Sequence, residues 1–259
     1  DVLHAEGFHV LALHGELGAV GDFDSSELLA LLRPVFEGWK SGQAYARIER
    51  PFQDGLQATR ELILTPDKAN AMYLGALAVK MSDADPDYPA LVLGNFMLGG
   101  GSISSRIADR LRQKEGLSYG AGSSFSAPAL DDSGRLMINA IYNPLNQPKV
   151  IRGVDEELTR FVRDGVTAEE LDKARNGLLR QRETGRSSDA ALAGMLANQL
   201  EENRTMKFEA EIDARMKSLT VEAVNEAVRK HIDPTKLIIV TAGDFKKEPQ
   251  AKDNTPVKP

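Results

Sequence analysis

A chain of 259 residues, 42% apolar and 27% charged, has room for one large domain, or one domain and part of another, around a sizeable core. It has no cysteine, which excludes disulfides and thiol catalysis. A net charge of −6 with no Lys/Arg block argues against a nucleic-acid or acidic-membrane partner, and no apolar run is long enough to span a bilayer. No signal peptide is visible, and the first residues open mid-pattern, as at a trimmed N-terminus.

Asp24-Ser25-Ser26-Glu27 combines a capping carboxylate or hydroxyl with an acid in the first turn, and starts a helix expected over 25–40. Residues 41–56, with Gly, Pro and polar types, read as a connection. Strands are expected at 58–65 and 70–81, joined by the turn signal Pro66-Asp67-Lys68. Asp85-Pro86-Asp87 opens a helix to about Leu98, which Gly99-Gly100-Gly101 breaks. The helix expected over 103–114 has Ile103, Ile107 and Leu111 as its apolar stripe, and Gly116 suits its left-handed cap. Strands follow at 118–126 and 134–143, the second with Leu136, Ile138, Ala140 and Tyr142 on one face. Pro148 starts a long helix with Val150, Val154, Leu158, Phe161 and Val162 at helical spacing. Helices at 168–185, 187–201, 207–216 and 221–231 precede a last strand at 236–242. The Lys/Pro-rich tail, 246–259, has the composition of a disordered segment. Strands grouped beside helices argue an α+β layer and not an alternating parallel sheet.

Residues 9–23 and 231–245 align without gaps: His9 with His231, and Gly21-Asp22-Phe23 with Gly243-Asp244-Phe245. In both, a helix end is expected before a strand that runs into Gly-Asp-Phe. The chain then reads as the end of one repeat followed by a complete second one.

Gly116-Leu117-Ser118-Tyr119-Gly120 fits G-x-S-x-G, the nucleophile elbow of serine hydrolases. An elbow needs a strand before the serine and a helix after it. Here a helix comes first, so the negative end of its dipole lies nearest Ser118, the wrong sign for an oxyanion. Ser118 is therefore expected to be dispensable. The histidines are His4, His9, His14 and His231; His4, Glu6 and His9 do not have the H-x-x-E-H or H-E-x-x-H spacing that sets two imidazoles one helical turn apart. Nor does Gly99-Gly100-Gly101-Ser102 make a phosphate loop, since no G-K-[ST] follows.

The wider window 91–125 resembles the pitrilysin/insulysin-type zinc peptidases, the inverted-motif family that includes the mitochondrial processing peptidases. The resemblance rests on Ser104-Ser105-Arg106 after a Gly-rich break, then Leu111-Arg112-Gln113-Lys114-Glu115-Gly116-Leu117-Ser118-Tyr119. Asp85-Pro86-Asp87-Tyr88-Pro89-Ala90 is similar to the helix start before that break. Gly165-Val166-Thr167-Ala168-Glu169-Glu170-Leu171 is similar to the family's turn into its next helix, and Gly21-Asp22-Phe23 to the strand end between consecutive domains. Roughly residues 10–245 are covered.

The resemblance implies an α+β fold, a mostly antiparallel sheet covered on one face by helices. It implies residues 1–23 as a linker or the end of a preceding related domain, 24–245 as one complete domain, and 246–259 as a disordered tail. A full enzyme of that family is two halves closing like a clamshell, the first carrying H-x-x-E-H and a distal Glu. This chain lacks that motif. It thus resembles the metal-free half or a metal-free partner subunit, with no catalytic residue and no metal ligand of its own, and zinc expected on the catalytic half. In active relatives that half supplies an Arg and a Tyr, seven residues apart, to the zinc site across the cleft; the matching positions are Arg112 and Tyr119. The implied partners are the zinc-bearing half or subunit and a peptide substrate; the compartment stays open, with a bacterial periplasm the one the resemblance suggests. The alternative is a structural or assembly subunit of the same fold without proteolysis.

More ordinary readings of these side chains stand beside the resemblance. Arg112 can pair with Asp109 on its own helix, and Tyr119 can pack beside Phe125 on one strand face. Arg106 reads as a helix-surface residue, and Ser104 with Ser105 as an N-cap pair.

Overall fold

A computed structural model describes residues 2–5, 8–13, 16–38, 40, 42–101 and 104–245. In chain order its elements are β1 (Val2–Ala5), β2 (Phe8–Leu13), β3 (Glu16–Gly21), α1 (Ser25–Phe36), β4 (Arg60–Leu64), β5 (Ala71–Lys80), α2 (Tyr88–Asn95), α3 (Arg106–Ala108), β6 (Ser118–Ser126), β7 (Ser133–Tyr142), α4 (Gln147–Asp164), α5 (Ala168–Gly185), α6 (Asp189–Glu201), α7 (Met206–Ser218), α8 (Val221–His231) and β8 (Ile238–Gly243). Two π-helical turns extend short helices: Phe96–Gly100 follows α2, and Asp109–Lys114 follows α3. The chain divides into two compact units, Asp1–Arg50 with Leu179–Arg215, and Pro51–Leu178 with Met216–Pro259.

In the first unit β1, β2 and β3 form an antiparallel meander, and α6 lies against β2 and β3. His9 therefore lies inside a strand, whereas His231 ends a helix; the parallel between the two stretches is kept at Gly21 and Gly243, each of which ends a strand. The Asp24 carboxylate caps α1, accepting from the N–H groups of Ser26 and Glu27 at 2.8 and 2.9 Å. This helix ends at Phe36, short of the expected Lys40. Arg182 of α5 and Arg186 just past its end both grip Asp213 of α7, and Arg182 also reaches Glu209.

The second unit is built on a five-stranded sheet in the order β4-β8-β5-β7-β6. Only β4 with β8 is parallel; the other neighbours are antiparallel. The Pro66-Asp67-Lys68 turn, with Asp67 left-handed at φ 66°, joins β4 to β5. The two are not paired, because β8 inserts between them. In β5 the residues Ala71, Tyr73, Leu77 and Val79 are buried and alternate with exposed ones; in β7 the buried set is Leu136, Ile138, Ala140 and Tyr142. That period-two pattern gives the sheet one covered face. The cover includes α4, whose Val150, Val154, Leu158 and Phe161 are buried while Val162 is half-exposed. Each such apolar side chain contributes about 1.5–3 kcal/mol by leaving water. The opposite face carries exposed Met72, Leu74 and Ile141.

The Gly99-Gly100-Gly101 stretch carries α2 on as a π-helical turn before the chain breaks at Gly101. There Gly99 lies so close to β6 that a Cβ would stand 2.4 Å from the Ser123 backbone nitrogen, so only glycine fits. Of the next helix's expected stripe, Ile107 and Leu111 are buried, and Ile103 lies outside the described residues. The tail 246–259, with Glu6, Ser102 and the side chains of His4, His9 and His14, also lies outside them.

Candidate functional site

Arg112 stands on the π-helical turn Asp109–Lys114, whose Leu111 is buried and anchors it to the core. The turn is closed by Glu115 N–H donating to the Arg110 carbonyl at 3.0 Å and Leu117 N–H to the Leu111 carbonyl at 2.8 Å. Gly116, left-handed at φ 61°, then reverses the chain into β6, a conformation that an L side chain resists. Widening the last turn rotates the side chains that follow, a device often found at functional positions.

Tyr119 is placed by a second irregularity. Ser118 pairs with Tyr142, but Gly120 pairs with Ile141, so Tyr119 is an extra residue in the strand. Such a bulge slips the alternation by one. Past it, Ala121, Ser123 and Phe125 stand opposite Ala140, Ile138 and Leu136 of the covered face. Tyr119 has their odd numbering without sharing their side: it is 63% exposed. The packing partnership with Phe125 therefore does not form, and Phe125 lies instead beside Tyr88 with ring centroids 6.1 Å apart. The pairing of Arg112 with Asp109 does not form either, because Asp109 takes Lys114 at 2.7 Å. Among the described residues neither the Arg112 guanidinium nor the Tyr119 hydroxyl has a hydrogen-bond partner, and both side chains are exposed on either side of the Gly116 turn.

Ser118 is tied to the backbone of the bulge. It is buried, and its hydroxyl lies 2.8 Å from the carbonyl oxygens of both Gly120 and Ile141, while accepting from Gly120 N–H at 3.2 Å. Every one of these contacts is to the backbone at the bulge. That geometry gives the hydroxyl a place in the backbone of the bulge.

Arg106 is not a helix-surface residue. Its Nε and Nη2 make a two-pronged bridge to Glu170 at 2.7 and 2.8 Å, and Nη2 also donates to the Gly165 carbonyl at 2.8 Å. The guanidinium lies 5.3 Å from the Phe161 ring centroid. Glu170 in turn accepts from Thr167 N–H, while Thr167 Oγ1 accepts from Glu170 N–H, a capping box at the start of α5. Burial raises the Glu170 pKa, but the Arg106 and Thr167 hydrogen bonds outweigh it and hold the carboxyl at about 2. Ser105 occupies the N-cap position of α3 without a side-chain cap bond, and the Ser104 hydroxyl donates to Gly101 at 3.4 Å.

Among the described residues, Asp85, Asp87 and His231 bring donor atoms within 4.8 Å of one another. Asp87 Oδ2 is already held by Lys230 Nζ at 2.6 Å and His231 Nε2 at 2.8 Å. The Lys230 hydrogen bond, assisted by that of His231, keeps the Asp87 carboxyl below the usual range against the opposing effect of burial. An ammonium thus stands where a cation would bind, and the group ties the end of α8 to the start of α2. The Lys230 and His231 contacts to Asp87 make this group an ion-paired tie between the two helices.

The chain belongs to the family described as the peptidase M16 inactive domain, which matches residues 9–178; this bears out the resemblance to the pitrilysin-type peptidases and the α+β fold it implied. The non-peptidase homolog YmxG of Helicobacter pylori is 25% identical over 231 residues, 88% of this chain and 51% of that protein. The crystal structure of a peptidase M16 inactive domain from Pseudomonas fluorescens is 30% identical with a TM-score of 0.75, over 88% of this chain and 52% of that one. The periplasmic protease PqqL of Escherichia coli shares the fold, with a TM-score of 0.66 at 17% identity over 87% of this chain and 25% of that one. The chain spans about half the length of the curated relative from Helicobacter pylori and of the Pseudomonas fluorescens structure.

Proposed function

We propose that this chain is the metal-free, substrate-binding half of a zinc metallopeptidase, and that it presents Arg112 and Tyr119 to a peptide held at a zinc-bearing half or subunit. The observation that carries the reading is the bulge at Tyr119. It costs the sheet a regular pairing, and what it accomplishes is to turn a phenol out to solvent. Bulges of this kind are retained where a side chain must be re-aimed. Arg112 likewise spends its guanidinium on no described neighbour.

The chemistry suits both groups. Peptide hydrolysis builds negative charge on the scissile carbonyl oxygen. A phenol O–H donates one hydrogen bond, and a guanidinium donates up to five in a planar fork; either can bind that oxygen or the neighbouring backbone carbonyls.

Single-turnover peptide cleavage by the complete two-half enzyme tests the reading. Tyr119→Phe keeps the ring and removes only the O–H, so turnover should fall on the order of 10²–10³-fold, equivalent to about 2.7–4 kcal/mol. Arg112→Lys keeps the charge and loses the fork, and should also impair cleavage. Unchanged cleavage by both variants would refute the role. The second reading, a structural or assembly subunit, draws support from the Helicobacter pylori relative, which is described as a non-peptidase homolog. It requires that the complete assembly cleave no peptide.

A further inference from the structure

We infer that Ser118 is the positioning residue for Tyr119: its hydroxyl pins the bulge, and the bulge keeps the phenol on the solvent side of β6. This rests on the role proposed above for Tyr119, although its structural part stands without it. A bulge interrupts the ladder, leaving backbone groups of the flanking residues to find other partners. Here one side chain meets that need from both strands. The Ser118 hydroxyl lies 2.8 Å from the Gly120 carbonyl on its own strand and 2.8 Å from the Ile141 carbonyl on the neighbouring one, and it accepts from Gly120 N–H at 3.2 Å. Its single proton serves one carbonyl at a time, with the other close enough to share it. The two residues it joins, Gly120 and Ile141, are the first pair formed after the slip.

The burial pattern says what the pin prevents. If β6 paired without the extra residue, strict alternation would put Tyr119 on the same face as Ala121, Ser123 and Phe125. That face is the covered one, where Ser123 and the opposing Ile138 and Ala140 are buried. On that face the Gly99 backbone already lies against Gly122 and Ser123. The outward tyrosine thus depends on the register slip, and the slip depends on a hydroxyl at a buried position. The serine of this G-x-S-x-G string is a strut, and the tyrosine beside it is the working group.

Two measurements test the assignment. The first needs no partner and no activity. Tetranitromethane nitration of the purified chain, read by peptide mass spectrometry, compares Tyr119 with Tyr45, which is 79% exposed and serves as the internal reference. In Ser118→Ala the Tyr119-to-Tyr45 nitration ratio should fall several-fold, and Ser118→Thr, which keeps the hydroxyl, should restore it. An unchanged ratio in a folded Ser118→Ala chain overturns the inference. If Ser118→Ala does not fold, Ser118→Thr against Ser118→Val decides it: a shielded Tyr119 in the valine variant alone supports the pin, and equal ratios overturn it. The second measurement is a double-mutant cycle on cleavage by the complete enzyme. Misplacing a group by about 1 Å can cost on the order of 10²-fold, so Ser118→Ala should lose turnover when Tyr119 is present and lose nothing further in a Tyr119→Phe background. Multiplicative losses overturn the positioning role. A Tyr119→Phe enzyme as active as wild type defeats the proposed function instead, and leaves the nitration result standing.

Discussion

Arg106 shows how much one side chain can organise. It joins the helix after the glycine-rich break to the turn into α5, so two stretches far apart in sequence meet through one guanidinium. The bridge is part-buried, with geometry matched to the carboxylate, which places it above an ordinary surface pair. Glu170→Gln should lower stability by about 1–2 kcal/mol at neutral pH, trimmed from the full value of a charged hydrogen bond by its partial exposure. The sign of the pH dependence follows from a carboxyl held at about 2 when folded against an ordinary 4.5. Its stabilisation is complete above pH 4.5 and is lost as pH falls toward 2. Denaturant melts of wild type and Glu170→Gln should therefore converge over that window; a gap that persists at pH 2 would contradict the assignment. None of this was legible beforehand. From the sequence Arg106 reads as a surface residue, because helical spacing says which side chains share a face and says nothing about what another element brings to that face.

At the scale of elements, what the sequence made visible was local. The α4 stripe, the covered face of β7 and the Gly116 cap follow from periodicity and backbone sterics, and the structure has them as read. What escaped was set by distant pairing. β8 enters between β4 and β5 as a parallel neighbour of β4, and no turn signal encodes that. The bulge at Tyr119 escaped for a related reason: strict alternation is the only register a strand pattern can express, and one extra residue reverses it. Two helices illustrate the difference that packing makes. In α4, Leu158 is fully buried, and Leu158→Ala should cost about 2–5 kcal/mol through lost burial and a cavity. In α1, Leu28, Leu29, Leu31, Leu32, Val35 and Phe36 gather along one side, yet no residue of that helix is buried. Leu31, 69% exposed, should tolerate Leu31→Ala within about 0.5 kcal/mol. Urea melts of the two variants check the contrast, and comparable losses would contradict it.

The chain belongs to the peptidase M16 inactive domain family, matched over residues 9–178, and the sequence in hand carries no H-x-x-E-H. The candidate site was legible as a pair of residue types at family spacing, Arg112 and Tyr119; their outward aim, and the strut that secures it, came from the three-dimensional register. The proposal that this chain works as half of an enzyme is most directly tested by measuring peptide cleavage and zinc content for three samples: the purified chain, the zinc-bearing half, and the two mixed in equal amounts. The chain alone should hold no stoichiometric zinc and cleave nothing, and the mixture should cleave well above the zinc-bearing half by itself. Chelator-sensitive cleavage by the chain alone with one zinc per molecule, or a mixture no faster than the zinc-bearing half, would contradict the account.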